Sequence, residues 1–448
     1  MAEPKRPSTL RQGSGQAGSE PALSVAKGQR FRAPRGTADI LPEDQPYWRW
    51  VRQTAVRVAE SYGYGEIQTP VFEQAGLWLR PAAQGTDVVD KEIYLFEDRG
   101  GDELALRPEG TPSVCRAYLE HGMASWPQPV RLFYVQANFR YDRPQAGRYR
   151  LHHQFGVEAI GDAGPAIDAE VIDIQRTFYD ALGLRGYTLH LNSIGDPACR
   201  PAYVEKLRAY YADKLDRLCG DCRRRFDLNP LRLLDCKNES CQPFKDGAPQ
   251  IVDNLCEACA QHFADLRRLL DDLGIAYALN PTLVRGLDYY TRTTFEFEPD
   301  EEGSQSAIGG GGRYDGLIEQ LGGRPTAGIG FGAGIERVIL NLKRLGLQPP
   351  DEKRRPDAFI AVAVPAAQGR ALLLAREARS ASLAVVVGAA GRSLKAQMRQ
   401  ADAVNARNAL ILGAAELASG TVTLRNLSTA AQERLTPGEA IARLSRKA

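Results

Sequence analysis

The stretch NFRYDRPQAGRYRLHHQFGVE, residues 138–158, decides how the chain is read. It carries four arginines, Arg140, Arg143, Arg148 and Arg150, with a turn signal at 144–147, and it closes on Gln154 and Glu158. A guanidinium is a permanently charged planar fork that pairs two-on-two with phosphate oxygens. Arginines on two strands around a loop therefore suit a nucleoside triphosphate or an RNA end. A solvated charged hairpin has the same local pattern, so the choice falls to the rest of the chain.

Working outward, residues 92–98 (EIYLFED), 103–109 (ELALRPE) and 130–141 (VRLFYVQANFRY) alternate or are rich in aromatic and β-branched side chains. They read as spaced by turns rather than by crossover helices, which predicts an antiparallel sheet with helices on one side and an α+β fold. There is no GxxxxGK[ST] loop, and the glycine-rich stretches do not match GxGxxG, so two common nucleotide-binding solutions are excluded by pattern. Upstream, apolar residues Trp48, Val51, Ala55, Val58 and Ala59 recur at helical spacing over 45–62, and a strand is expected to lead into Pro70.

The chain of 448 residues exceeds what one core usually serves, so two or three domains are expected. Its 57 basic and 55 acidic residues nearly cancel, and any nucleic-acid footprint must be local. No apolar run approaches a membrane span and no apolar core follows the basic N-terminus, so a cytoplasmic protein that does not enter the membrane is expected. Residues 1–29 are rich in Gly, Ser, Pro and Gln and read as a disordered extension. Residues 199–277 change to charged helical texture and read as an insertion domain. A Pro- and charge-rich linker near 349–355 leads to alternating strands and helices over 354–448, a small α/β domain. From Asp357 onward twelve basic residues stand against six acidic ones, a local balance that suits phosphate contacts.

Further motifs stand at 34–42 (PRGTADILP), 106–111 (LRPEGT), 284–296 (VRGLDYYTRTTFE), 306–317 (SAIGGGGRYDGL) and 327–338 (AGIGFGAGIERV). Together with 138–158 they resemble the catalytic motifs of class II histidyl-tRNA synthetases, and the resemblance runs from about Phe31 to the C-terminus. It implies a class II antiparallel sheet flanked by helices over 30–348, with the helical insertion inside it. It also implies a C-terminal anticodon-binding domain, which residues 391–413 resemble.

The implied reaction is ATP-dependent ligation of L-histidine to tRNA(His) through a histidyl-adenylate, with ATP and Mg2+ and as a homodimer. No magnesium ligand can be named from the sequence, and a monomer with the same helix and strand in its core is the alternative to the dimer. By resemblance Arg140 and Arg285 contact the α-phosphate and the substrate carboxylate, Arg337 the far phosphates, and Arg148 the bent triphosphate. Glu109, Thr111 and Gln154 hold the α-amino group. Glu158 and Tyr290, with Tyr289 beside it, take the imidazole, since a site built for two polar contacts rejects analogues that lack them. Gly310 and Gly311 belong to a glycine run that lets backbone approach the ligand. The alternative function is a catalytically silent relative serving as regulatory subunit of ATP phosphoribosyltransferase.

The cysteines leave two readings open. Cys219-x2-Cys222 and Cys256-x2-Cys259 bracket Cys236 and Cys241, and two Cys-x2-Cys pairs offer four thiolates of the kind that hold structural zinc. Free structural thiols are the other reading, and the resemblance supplies no metal here.

Overall fold

A computed structural model of the chain describes residues 31–79, 92–142, 147–287, 289–300, 307–350 and 355–446. The expected extension at 1–29, Arg143, the turn residues 144–146, Asp288, Ser306 and part of the linker lie outside the described residues.

The chain begins with α1 (Gln45–Ser61) and β1 (Gly65–Glu66), followed by a small sheet of β2 (Phe72–Gln74), β3 (Tyr94–Glu97) and β4 (Glu103–Leu106), then α2 (Thr111–Glu120). The long hairpin β5 (Val130–Phe139) and β6 (Leu151–Ile160) is followed by α3 (Pro165–Ala181) and β7 (Tyr187–Ser193). Residues 199–277, expected as an insertion, contribute α4 (Arg200–Tyr211), α5 (Gly220–Leu228) and α6 (Glu257–Asp272). After it come β8 (Ala278–Leu279), β9 (Thr291–Pro299), β10 (Gly309–Arg313), α7 (Leu317–Gln320), β11 (Gly328–Gly334) and α8 (Ile335–Arg344).

The main sheet has the order β1-β5-β6-β11-β10-β9-β7-β8. Its six inner strands pair antiparallel, as the turn-linked runs predict, while the two-residue edge strands β1 and β8 pair parallel to β5 and β7. The strand expected before Pro70 is cut short. Arg107 donates to the carbonyls of Thr69 and Pro70 at 2.8 Å each and to the Ala137 carbonyl at 2.7 Å, so those carbonyls serve a buried guanidinium instead of a ladder.

Period-two alternation splits the sheet into two faces. Phe133, Phe155, Phe295 and Phe331 point into a core shared with Val51 of α1, Val171 of α3, Leu266 of α6 and Val338 of α8. Each such fully buried large apolar side chain is worth about 1.5–3 kcal/mol over leaving it exposed. Leu132, Tyr134 and Ile160 face the opposite way, toward α2, α7 and the insertion. Helices therefore cover both faces, which corrects the one-sided arrangement expected from sequence. The second covering comes from long-range packing that local periodicity does not report.

Residues 358–446 form β12 (Ala358–Val362), α9 (Gln368–Ser380), β13 (Val385–Val387), α10 (Leu394–Ala403), β14 (Asn408–Leu412), α11 (Ala414–Ser419), β15 (Val422–Asn426), β16 (Gln432–Leu435) and α12 (Pro437–Ser445). The sheet order is β13-β12-β14-β15-β16, parallel through β14 and antiparallel beyond it. Ser393 caps α10 and Thr436 with Glu439 makes a capping box on α12. Among the described residues no helix is long and apolar enough to cross a membrane.

One buried charge pair ties the main sheet to its helices. Arg313, at the end of β10, and Asp168 of α3 are both fully buried, with Nη2 to Oδ1 at 2.7 Å and Nε to Oδ2 at 3.0 Å. Thr293 Oγ1 donates to Asp168 at 2.6 Å, and His262 of α6 sits 2.9 Å from the same oxygen. Removing one partner strands a charge out of water, at a cost of about 3–5 kcal/mol. Asp168→Ala should lose about that much stability in urea unfolding. A loss under about 1 kcal/mol would show the pair to be ordinary surface electrostatics.

Candidate active site

The face of the sheet opposite the aromatic core carries a polar cavity of about 320 Å³. Its floor is laid by sequence alternation. Gly156, Gly332 and Gly310 stand in register across β6, β11 and β10, and so do Glu158, Gly330 and Gly312. A Cβ on Gly156 would strike the Tyr134 ring, and one on Gly330 would strike the Glu158 carboxylate, so both rows require glycine. Bare backbone here leaves the wall residues to do the chemistry.

Nine of the expected residues come together on the cavity lining: Glu109, Thr111, Arg140, Arg148, Gln154, Arg285, Tyr290, Gly310 and Arg337. Tyr289 stands behind them and donates its hydroxyl to Glu109 Oε2 at 2.9 Å. Gly311 does not reach the cavity. A Cβ there would meet the Gly330 carbonyl and the Phe331 backbone, so this glycine is held against the neighbouring strand. Arg150, part of the cationic stretch, lies flat on Tyr141, 3.7 Å from the ring centroid, and is committed to that stack.

One end of the cavity is cationic. Arg337 donates Nε to the Gly147 carbonyl at 2.9 Å and Nη1 to the Ala307 carbonyl at 2.8 Å. Burial lowers its pKa, and the neighbouring Arg148 and Arg140 charges lower it further. His152, also on the lining, is pushed down to about 3 by burial and by the charges of Arg140 and Arg337, so it is neutral. Three cations held this close, with a neutral imidazole beside them, make an anion site. Arg140 is fixed through Nε to the Pro108 carbonyl at 2.9 Å and lies 4.0 Å from Glu109. Arg148 reaches Asp142 at 3.5 Å.

Arg285 lies on the lining, 2.5 Å from Glu296 Oε2 and 5.7 Å from the centroid of the Tyr290 ring. Burial opposes its charge, while Tyr290 and Glu296 support it, and the net pKa is raised. Its Nε is buried with no hydrogen-bond partner among the described residues, a donor still able to take a ligand oxygen.

The far end is acidic. Glu158 is fully buried and accepts from Thr111 Oγ1 at 2.7 Å, Tyr314 at 2.7 Å and Tyr134 at 3.2 Å. It does not line the cavity, whereas two of its donors, Thr111 and Tyr134, do. Burial pushes its pKa up to about 8 against those hydrogen bonds, with help from the Glu109 charge. Burial also keeps Tyr134, Tyr289 and Tyr314 far above the ordinary phenol range, so they remain neutral. Gln154 accepts from Asn138 at 2.7 Å, which points its amide nitrogen away from that bond.

Several residues here escape sequence reasoning. Tyr134 shares a strand phase with Asn138, a signal that could have placed it on this face. Tyr314 and Glu296 carry no local signal of their roles, and Lys237 enters the lining from the insertion. His153 is held by Glu336 at 2.8 Å, which fastens β6 to α8.

Comparison with known proteins supplies the context. Residues 36–199 and 228–338 match the family described as Histidyl-tRNA synthetase, and 357–447 match the Anticodon binding domain. A histidine–tRNA ligase of Dehalococcoides mccartyi is 55% identical over 402 residues, covering 90% of this chain and 96% of that protein. One from Pelotomaculum thermopropionicum is 48% identical over 89% of this chain and 94% of its own. The apo S. aureus histidyl-tRNA synthetase structure superposes with a TM-score of 0.76 at 35% identity, over 93% of this chain and all of that one.

The raised Glu158 pKa has a stability consequence. The folded state holds this proton more tightly than the unfolded chain does, so the group's contribution falls as pH rises from about 4.5 toward about 8 and is level above. Glu158→Gln removes that slope. The melting temperature of the variant relative to wild type should climb across pH 5–8, measured by calorimetry. A pH-independent difference would mean that the carboxylate is ionised throughout.

Proposed function

The chain belongs to the histidyl-tRNA synthetase family and ligates L-histidine to tRNA(His), and we propose that the cavity performs the activation step with ATP across its cationic and acidic ends. Activation joins two anions: the histidine carboxylate attacks the α-phosphorus and pyrophosphate leaves. The main barrier is charge repulsion and alignment, so preorganised cations are the requirement. The observation that carries this reading is the convergence of Arg140, Arg148 and Arg337 on one cavity lining, where burial and the charges of the other two lower the pKa of Arg337.

In this proposal Arg337 and Arg148 hold the outer phosphates, while Arg140 and Arg285 take the α-phosphate and the histidine carboxylate. Arg285 would exchange Glu296 for ligand oxygens. Glu109, Thr111 and the remaining lone pair of the Gln154 amide oxygen receive the α-amino group, and Tyr289 orients Glu109. The imidazole nitrogens bond Tyr290 and Glu158. Because Thr111 and Tyr134 cover Glu158, histidine entry would displace one of their hydrogen bonds, and a ligand lacking ring donors could not replace it. No side-chain nucleophile is needed. The tRNA 3′-terminal ribose hydroxyl attacks the activated carbonyl directly.

Magnesium fits as an ion carried in on ATP, since it keeps most of its waters and asks for few protein carboxylates. Glu296, beside Arg285 on the lining, is the carboxylate we would assign to contact it or its waters. The ion would neutralise phosphate charge. Residues 354–448 would read the anticodon, a role their excess of basic residues suits.

A homodimer is the favoured assembly, because the small sheet exposes Val71, Phe72, Leu95 and Phe96 together, with the two Phe rings 6.2 Å apart. We place the protein in the cytoplasm. The regulatory reading is not favoured, as the arginines and the C-terminal unit that activation and tRNA binding need are both present.

Arg285→Ala should reduce histidine-dependent adenylate formation by about 10²–10³-fold in single turnover, while circular dichroism and the melting curve stay near wild type. Adenylate formation at the wild-type rate would remove Arg285 from the mechanism.

A further inference from the structure

The six clustered cysteines do not form one set. The sulfurs of Cys219, Cys222, Cys236 and Cys241 lie within 4.8 Å of one another, while Cys256 and Cys259 converge elsewhere, with Cys199 and Asp196, inside the same limit. None of the eight cysteines, all of them among the described residues, is in a disulfide. The sequence suggests that the two Cys-x2-Cys pairs face each other. The fold sends α6 back to the end of β7 and leaves α5 against the loop of residues 229–244.

We propose that Cys219, Cys222, Cys236 and Cys241 bind one zinc ion that pins the insertion. Four sulfurs placed about 2.3 Å from a common centre at tetrahedral angles lie about 3.8 Å apart. Cys219 and Cys236 stand at 3.8 Å. Disulfides would draw the sulfurs into pairs at about 2.05 Å, and none is formed here, whereas a single ion uses all four. Four thiolates in a tetrahedron select zinc over the harder divalent ions.

The backbone is arranged for thiolates. Cys219 N donates to Cys241 Sγ at 3.3 Å, Cys222 N to Cys219 Sγ at 3.4 Å and Asn238 N to Cys236 Sγ at 3.4 Å. Donors aimed at sulfur favour its charged form and orient it for a metal. Cys219 also caps α5, so the first Cys-x2-Cys pair straddles a helix start. The ion would fix the loop whose Lys237 reaches the lining of the reaction cavity.

The second convergence carries a second ion independently. Cys256 stands at the N-cap of α6 and Cys259 in its first turn, Cys199 stands at the N-cap of α4, and Asp196 supplies the oxygen. Asp196 is oriented by Arg292, 3.2 Å from Oδ2, and by the Ala198 amide, 3.0 Å from Oδ1. Zinc accepts three thiolates and one carboxylate. This ion would tie α6 to the segment from which Arg200 reaches the Tyr290 carbonyl at 2.7 Å, behind the reaction cavity.

The test uses the untagged full chain, expressed in zinc-replete medium and purified without chelator, with metal content measured by mass spectrometry. Two zinc ions per chain are expected, falling to one in Cys236→Ser and to one in Cys256→Ser. Should the variants misfold, X-ray absorption at the zinc edge of the wild type decides instead, with a sulfur-dominated shell near 2.3 Å expected. One zinc, lost in Cys236→Ser and kept in Cys256→Ser, overturns the second site. Less than half an equivalent, iron in place of zinc, or a shell of oxygen and nitrogen overturns the first as well.

Discussion

The buried pair between Asp168 and Arg313 is the constraint on which the site depends. Two charges taken out of water cost several kcal/mol each unless every lone pair and proton is used. Here the guanidinium meets both carboxylate oxygens, the carbonyls of Asp162 and Gly164, and Asp315 at 3.0 Å. Asp315 in turn accepts from the Gly328 amide at 3.1 Å. One network therefore ends β10, starts β11 and fixes the register between them. A one-residue slip there would send the paired glycines of β10 and β11 to the other face of the sheet.

On that floor the cavity is electrically polarised along its length. At one end burial and the charges of Arg148 and Arg140 lower the pKa of Arg337, and burial together with the Arg140 and Arg337 charges keeps His152 neutral. At the other end Glu158 is kept near protonation by the absence of water. Each end is uncomfortable without a ligand, and each is relieved by a group of the opposite kind. In the proposed reaction a nucleotide and an amino acid with a basic side chain would satisfy both ends at once, and their reacting atoms would meet beside Arg285. Strain of this sort, present before binding and released by it, makes a site selective.

Much of this was legible in the sequence, for reasons that differ by residue. The hairpin of β5 and β6 announces itself through aromatic and β-branched alternation. The arginines stand out because several permanent cations in one short span need a counter-charge. Gly310 could be read as backbone approach, but Gly311 was placed with it although strand alternation sends the two to opposite faces. What stayed hidden depends on distance along the chain. Tyr314 reaches Glu158 across 156 positions and Arg313 reaches Asp168 across 145, and neither contact leaves a periodic trace. The cysteines show the same limit, since spacing identifies the Cys-x2-Cys pairs and only the fold says which partners complete each one.

The central claim is that this polarised cavity activates histidine and no other amino acid. Amino-acid-dependent ATP–pyrophosphate exchange, run with each of the twenty amino acids, tests it most directly, because it reads activation without tRNA. Exchange with histidine alone is the predicted result. Folded protein that exchanges with none of them, or equally well with several, would contradict it.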